Sequence, residues 1–110
     1  MLFRGQASSW AQPVAERVQN KFVELAIRLG KVSDGRAAQG YYLRALEIFP
    51  QSARLSHALI QARLAQGDNA GAIDEYSRYE RTLKAAGEDA PSPAIRALVQ
   101  PLLKATRLNA

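Results

Sequence analysis

Apolar residues recur three or four positions apart along most of this chain, which is the spacing of an α-helix. In the first segment the intervals are four, four, three and four residues, at Val14, Val18, Phe22, Leu25 and Leu29. All five lie on one side of a helix, so the spacing predicts a buried stripe on a helix of about residues 12–29. No stretch alternates apolar and polar residues between hairpin turns, so no strand is predicted.

Four more helices are predicted, at about residues 34–49, 52–66, 69–86 and 92–107. In each of them the apolar residues share one inward face. These residues are Ala38, Tyr42, Ala45, Leu46 and Phe49 in the second helix, Leu55, Leu59 and Ala62 in the third, Ala72, Ile73, Tyr76 and Leu83 in the fourth, and Ile95, Leu98, Val99 and Leu102 in the fifth. Helices joined by such short loops are expected to pack as neighbours.

Cap and stop residues mark the helix ends. Asp34, Ser52 and Asp68 carry side-chain oxygens that accept hydrogen bonds from the first turn, so they are predicted N-caps. Gly30 and Gly67 are predicted stops, because glycine adopts the left-handed conformation that ends many helices.

The first helix has two alternative starts. Ser9 and Gln12 can form a capping box, or Pro13 can occupy the first helical position. Trp10 precedes both and is predicted to pack against the first turn as a hydrophobic staple.

Residues 85–103, "AAGEDAPSPAIRALVQPLL", predict a firm stop followed by a restart. Gly87 ends the fourth helix, and the residues before the first proline are extended. Ser92 is then an N-cap and Pro93 opens the fifth helix, where a missing N–H is harmless. Pro101 is expected to kink or restart that helix.

An internal repeat relates the helices. Four residues recur thirty-four positions on: Asp34, Ala38, Tyr42 and Arg44 as Asp68, Ala72, Tyr76 and Arg78. Four residues of the first helix recur thirty-seven positions later: Val18, Phe22, Leu25 and Gly30 as Leu55, Leu59, Ala62 and Gly67. The difference between the two spacings implies a three-residue insertion near residues 31–33. A thirty-four-residue period of helix–turn–helix units is typical of tetratricopeptide repeats. Val23 and Ile60 occupy a position that is usually small, and Tyr79 and Lys84 replace an expected alanine and proline.

The predicted fold class is therefore all-α, in one domain over residues 1–110. It has two tetratricopeptide-like helical hairpins plus a C-terminal capping helix, arranged as a right-handed αα superhelix. The capping helix covers the face that two hairpins leave open.

Charge and composition limit the function classes. The net charge is +5, but the cations are dispersed, and Asp74–Arg78 and Glu80–Lys84 are spaced for ion pairs on one helix face. Dispersed charge indicates a solvated surface more than a nucleic-acid interface. Cysteine is absent, and no apolar run is long enough for a signal peptide or a membrane span, so we expect a soluble, cytoplasmic protein without disulfides.

No catalytic, cofactor or metal site is predicted. His57 has only Arg54 and Gln61 one turn away, which does not make a ligand set. The Gly30–Lys31 pair lacks the other residues of a phosphate-binding loop. We therefore expect a protein without enzymatic activity.

Residues 58–98, "ALIQARLAQGDNAGAIDEYSRYERTLKAAGEDAPSPAIRAL", closely resemble the bacterial transcriptional activator domain of antibiotic regulatory proteins. "LFRG" followed by Trp10 and the helix around Glu16-Arg17 is similar to that family's opening, so the resemblance covers nearly the whole chain. It implies a bacterial regulatory module that contacts other proteins or itself. In such regulators a separate winged-helix domain, for which 110 residues of five helices leave no room, contacts DNA.

The likeness to tetratricopeptide folds implies a partner-binding concave groove lined by the first and third helices. Seven residues occupy its positions: Arg17, Asn20, Glu24, Arg28, Arg54, His57 and Gln61. Arginine forks bind carboxylates, so this strip suits an acidic or C-terminal carboxylate partner. Three interpretations remain open. The first is an oligomerisation module, for which a homodimer would use helices four and five. The second is a tetratricopeptide adaptor for a partner peptide, and the third is a basic nucleic-acid-contacting domain.

Overall fold

The computed structural model describes the backbone of residues 2–109 and the side chains of residues 14–104. These residues form five helices and no strand: α1 (Leu2–Val32), α2 (Gly35–Ile48), α3 (Ala53–Ala65), α4 (Asn69–Ala85) and α5 (Pro93–Asn109). The predicted all-α class is confirmed. Over this part of the chain, no helix combines the length and the apolar composition that a bilayer crossing requires.

The helices stack in two rows. Each helix packs against the next along the chain, and α3 also contacts both α1 and α5. The described residues of α2 and α4 do not contact each other. The odd-numbered helices therefore form one continuous row and the even-numbered helices lie outside it, which is the packing expected of a helical repeat.

The three predicted N-caps are confirmed. The Asp34 carboxylate accepts hydrogen bonds from the N–H groups of Arg36 and Ala37, at 3.1 and 2.9 Å. Ser52 and Asp68 cap α3 and α4 in the same manner, at 3.2 and 2.9 Å. Each such cap stabilises its helix by about 1 kcal/mol.

Glycine ends α3 and α4, as predicted. Gly67 and Gly87 have φ values of 74° and 73°. In the first case the Asp68 N–H donates to the Arg63 carbonyl at 2.8 Å and the Gly67 N–H donates to the Leu64 carbonyl at 3.0 Å. This is the Schellman arrangement, in which left-handed backbone satisfies the last carbonyls of a helix.

The restart at α5 also follows the sequence. Residues 88–92 are not helical, the Ser92 hydroxyl accepts a hydrogen bond from the Ile95 N–H at 3.4 Å, and α5 begins at Pro93. Of the kink or restart predicted at Pro101, the restart does not occur, because the helix continues through Pro101 to Asn109.

Two apolar clusters form the core, and α3 contributes to both. The first joins α1, α2 and α3 through Val23, Ala26, Ala38, Tyr42, Ala45, Leu46, Leu55, Ala58 and Leu59. The second joins α3, α4 and α5 through Ile60, Ala72, Tyr76, Tyr79, Leu83, Ile95 and Val99. Leu55, Leu59 and Ile60 are fully buried, so α3 is apolar on two faces.

Helix α1 is longer than predicted at both ends. It begins at Leu2 rather than near residue 12, and it runs past Gly30 to Val32. Gly30 is buried inside the helix, where a Cβ would collide with the Tyr42 ring. It is a site of close packing and not a stop. The predicted capping box, Pro13 and the Trp10 staple lie outside the described side chains.

The predicted buried stripe of α1 is wrong. Val18 is 61% exposed and Leu25 is 58% exposed, whereas Val23 and Ala26, on another face, are buried. The repeat gives the physical reason. The equivalents of Val18 and Phe22 on α3 are buried because α2 precedes α3, and no described helix precedes α1.

The predicted pairing of Asp74 with Arg78 is also corrected. Arg78 forms two hydrogen bonds of 2.7 Å with the buried Glu75 carboxylate instead. The same guanidinium donates to the Pro50 carbonyl and the Ser56 hydroxyl, both at 3.1 Å. One arginine thereby ties α4 to α3 and to the loop before it.

Candidate functional site

A groove of about 670 Å³ opens where the C-terminal end of α1, the start of α2, α3 and the first turn of α5 meet. The odd-numbered helices supply most of its wall. Its lining residues are Ile27, Gly30, Lys31, Ser33, Gly35, Ala38, Tyr42, Ala53, Arg54, His57, Ala58, Gln61, Ala62, Ala65, Ser92 and Ile95.

Small residues make the groove, and one helix, α3, supplies three of its polar side chains. Alanine and glycine form much of the wall, which leaves open space between the helices. Ser52 fixes the start of α3, and from there Arg54, His57 and Gln61 follow at one-turn intervals along the helix. Arg54 and Gln61 are exposed and His57 is half-buried, so all three are within reach of a ligand.

The groove has a positive rim and a neutral floor. Lys31 and Arg54 line it, and no Asp or Glu is among its described lining residues. The Tyr42 side chain at the floor is buried, and this burial raises the pKa of its phenol above the ordinary value of 10.0. The hydroxyl therefore stays neutral at physiological pH. Such a site favours a ligand that combines carboxylate groups with apolar groups.

The structure divides the seven predicted groove residues. Arg54, His57 and Gln61 share the groove, whereas Arg17, Asn20 and Glu24 line a shallow surface on α1, with four neighbours. These neighbours are Val18, Lys21, Phe22 and Leu25. Arg28 lines neither surface, and its guanidinium forms an exposed ion pair of 2.9 Å with Glu24.

The repeat explains this division. Arg17, Asn20 and Glu24 are thirty-seven residues before Arg54, His57 and Gln61, so the two sets occupy equivalent positions one repeat apart. The set on α3 has the α1–α2 hairpin before it, and residues of that hairpin form part of the groove wall. No described hairpin lies in the same position before the set on α1. Sequence reasoning also missed Lys31, Tyr42 and Ser92 in the groove, since these side chains come from α1, α2 and the loop before α5 and meet only after the stack forms.

A second candidate surface is the exposed apolar stripe of α1, which we define by six side chains with their exposed fractions: Val14 (53%), Val18 (61%), Phe22 (39%), Leu25 (58%), Leu29 (48%) and Val32 (84%). Within this stripe, Phe22 makes an aromatic contact. Its ring packs edge-on against the Phe49 ring, with 5.5 Å between the ring centroids. An extended apolar row on a protein surface marks a contact site more often than chance exposure does.

One comparison with known proteins gives a match. The family model described as "Bacterial transcriptional activator domain" matches residues 2–103, which is nearly the whole chain. No curated protein and no solved structure matches the sequence or the fold.

Proposed function

Because this chain belongs to the bacterial transcriptional activator domain family, a family of regulatory domains, we propose that it is a protein-interaction module of a bacterial transcriptional regulator. It performs no chemistry of its own and acts in the cytoplasm. Contact with DNA belongs to a separate domain of such a regulator.

The observation that carries this proposal is the groove with its positive rim. Arg54 and Lys31 supply charge, Ile27 and Ile95 supply apolar wall, and the described lining residues include no carboxylate. A partner segment that carries Asp, Glu or a free C-terminal carboxylate beside an apolar side chain complements all of these features.

The first prediction concerns this groove. We expect a labelled peptide of alternating leucine and glutamate with a free C-terminus, here called the acidic tail peptide, to bind the protein. The same peptide with lysine in place of glutamate should not bind, because the rim is positive. Arg54→Glu should weaken binding of the acidic tail peptide by about tenfold, since it reverses a charge at the rim. Fluorescence anisotropy measures all of these affinities.

Arg44→Glu is the matched control, because it makes the same charge change at an exposed position of α2 outside the groove. Binding should persist in this variant. Equal loss in the Arg44 and Arg54 variants would mean that net charge alone drives binding, and it would reject the groove as the site.

Self-association is a second candidate function, because the exposed stripe of α1 offers an apolar contact, although the cations along its edge oppose pairing with a second copy. That a dimer would use helices four and five stays a prediction. Among its described side chains, α5 exposes Arg96, Gln100 and Lys104. Light scattering at two protein concentrations and two salt concentrations tests this candidate. A salt-resistant dimer would support it, and a monomer under all conditions would reject it.

A further inference from the structure

The exposed stripe of α1 occupies positions that the repeat fills elsewhere in the same molecule. Val18 and Phe22 correspond to Leu55 and Leu59 on α3, at a spacing of thirty-seven residues. Those two leucines are completely buried, in the cluster that α3 shares with α1 and α2. The stripe is therefore equivalent to the face of α3 that packs against α2. Another helix could pack on the stripe in the same way.

Cations distinguish the α1 face from its equivalent on α3. Lys21 stands where α3 has the buried Ala58, and Arg17 and Lys21 line the same shallow surface as Val18, Phe22 and Leu25. Arg28 continues this edge two turns beyond Lys21. Glu24 lines the same surface and pairs with Arg28, but the three cations outnumber this one carboxylate. A helix that covers the stripe therefore meets a net positive charge along one side of its apolar contact.

A second copy of α1 does not supply the complementary charge. Phe22 and Leu25 form the seam of such a pairing, and in an antiparallel pair Lys21 and Arg28 of one helix face the same cations of the other. In a parallel pair they face the positions of Ala26 and Ser33, which carry no carboxylate. Self-pairing is therefore repulsive or unassisted at this edge.

We propose that the α1 stripe is a docking surface for an amphipathic α-helix of another protein, with Asp or Glu residues along one edge of its apolar seam. The helix packs on Val18, Phe22, Leu25 and Leu29, and its carboxylates pair with Lys21 and Arg28. This site is distinct from the groove and goes beyond the function proposed above.

The probe is a labelled three-heptad peptide with leucine at the two seam positions of each heptad and glutamate at the two flanking positions, here called the acidic helix peptide. A twin peptide has lysine at the flanking positions. We expect the wild-type protein to bind the acidic helix peptide and to bind its twin at least tenfold more weakly. The double variant Lys21→Glu/Arg28→Glu should reverse this preference, because it reverses the charge of the edge.

Leu25→Ser tests the apolar contact without disturbing the core, since this side chain is largely exposed. It should weaken the acidic helix peptide by about tenfold or more, as measured by anisotropy. Leu43→Ser, the same change at an exposed position of α2, is the control and should leave the affinity unchanged. Circular dichroism melting confirms that both variants are folded.

Four results would overturn the proposal. One is no binding of either helix peptide, and another is equal binding of both. The third is loss of binding in Arg54→Glu with retention in Leu25→Ser, which would place the peptide in the groove and leave the proposed interaction function intact. A dimer that Leu25→Ser dissociates would identify a second copy as the occupant and would also reject the proposal.

Discussion

Gly30 shows how one missing side chain positions two helices. The Tyr42 ring lies where a Cβ at residue 30 would be, and this ring is itself buried in the core between α1, α2 and α3. Gly40 is also inside a helix, but nothing lies within 4 Å of a Cβ built there. Both glycines are therefore helical, but of the two only Gly30 has a side chain packed where its own Cβ would be.

These two positions give the second prediction. Gly30→Ala should lower the free energy of unfolding by about 1–3 kcal/mol, because the added methyl group displaces the Tyr42 ring. Gly40→Ala should raise it by about 0.5–1 kcal/mol, because alanine loses less backbone freedom in a helix. Urea unfolding monitored by circular dichroism measures both. A neutral Gly30→Ala variant would contradict the packing described here.

The third prediction concerns pH. Burial raises the pKa values of both Tyr42 and Tyr79. At Tyr79, Glu88 adds to the increase and Arg78 partly opposes it. Above about pH 10 the unfolded chain releases these phenolic protons while the folded chain retains them. Their contribution to stability is therefore complete below pH 10 and is lost as the pH rises through the folded-state pKa values.

Urea unfolding between pH 9 and pH 11.5 measures this loss. The double variant Tyr42→Phe/Tyr79→Phe should show a smaller decline over this range than the wild-type protein, since its two phenols no longer titrate. Identical slopes would mean that neither buried tyrosine contributes to the decline.

At the scale of the helices, the ion pair between Glu75 and Arg78 is the contact whose loss is expected to destabilise the fold most. The Glu75 carboxylate is almost fully buried, and Arg78 is the residue that neutralises it. The arginine also bonds to Ser56 on α3 and to the Pro50 carbonyl in the preceding loop. The pair thus joins the two helices of the second hairpin, α3 and α4, to the loop that precedes them.

The fourth prediction follows from this burial. Arg78→Met should lower the free energy of unfolding by about 3–5 kcal/mol, because it leaves a buried carboxylate without a partner. The double variant Glu75→Leu/Arg78→Met should lose much less, since no charge remains to be buried. Thermal or urea unfolding of both variants measures the difference. A double variant as unstable as the single one would show that the carboxylate is not the cause.

Helix boundaries were predictable where a residue acts locally. The caps at Asp34, Ser52 and Asp68 and the stop at Gly67 depend on a few neighbouring backbone groups, so the sequence contains all that is needed to find them. Gly30 looks the same in the sequence, but its role depends on Tyr42. That contact exists only after α1 and α2 have packed.

The face of α1 that is buried was not predictable from periodicity alone. Val23 and Ala26 have helical spacing just as Val18 and Phe22 do, so the helix has two apolar faces. Position in the stack decides between them, because the described helices that contact α1 pack on one side of it. The repeat contained this information, since Ile60 is the equivalent of Val23 and faces the following helices.

At the scale of the whole molecule, stacking creates both candidate surfaces. The groove forms where the end of α1 meets α3 and the start of α5, and its cations come from separate elements. The stripe is exposed because α2 and α3, the described helices that contact α1, pack around its other face. The sequence therefore predicted the polar residues of α3 in the groove, but it did not predict that the equivalent residues of α1 belong to another surface.

The central claim is that this domain binds an acidic partner segment in its groove, and one measurement tests it most directly. Amide nitrogen–proton NMR spectra of the labelled protein, recorded while the acidic tail peptide is added, locate the bound peptide residue by residue. We predict the largest shift changes at Arg54, His57 and Gln61, with smaller changes at Lys31. Changes confined to α4 and the outer face of α5, or no changes at all, would contradict the claim.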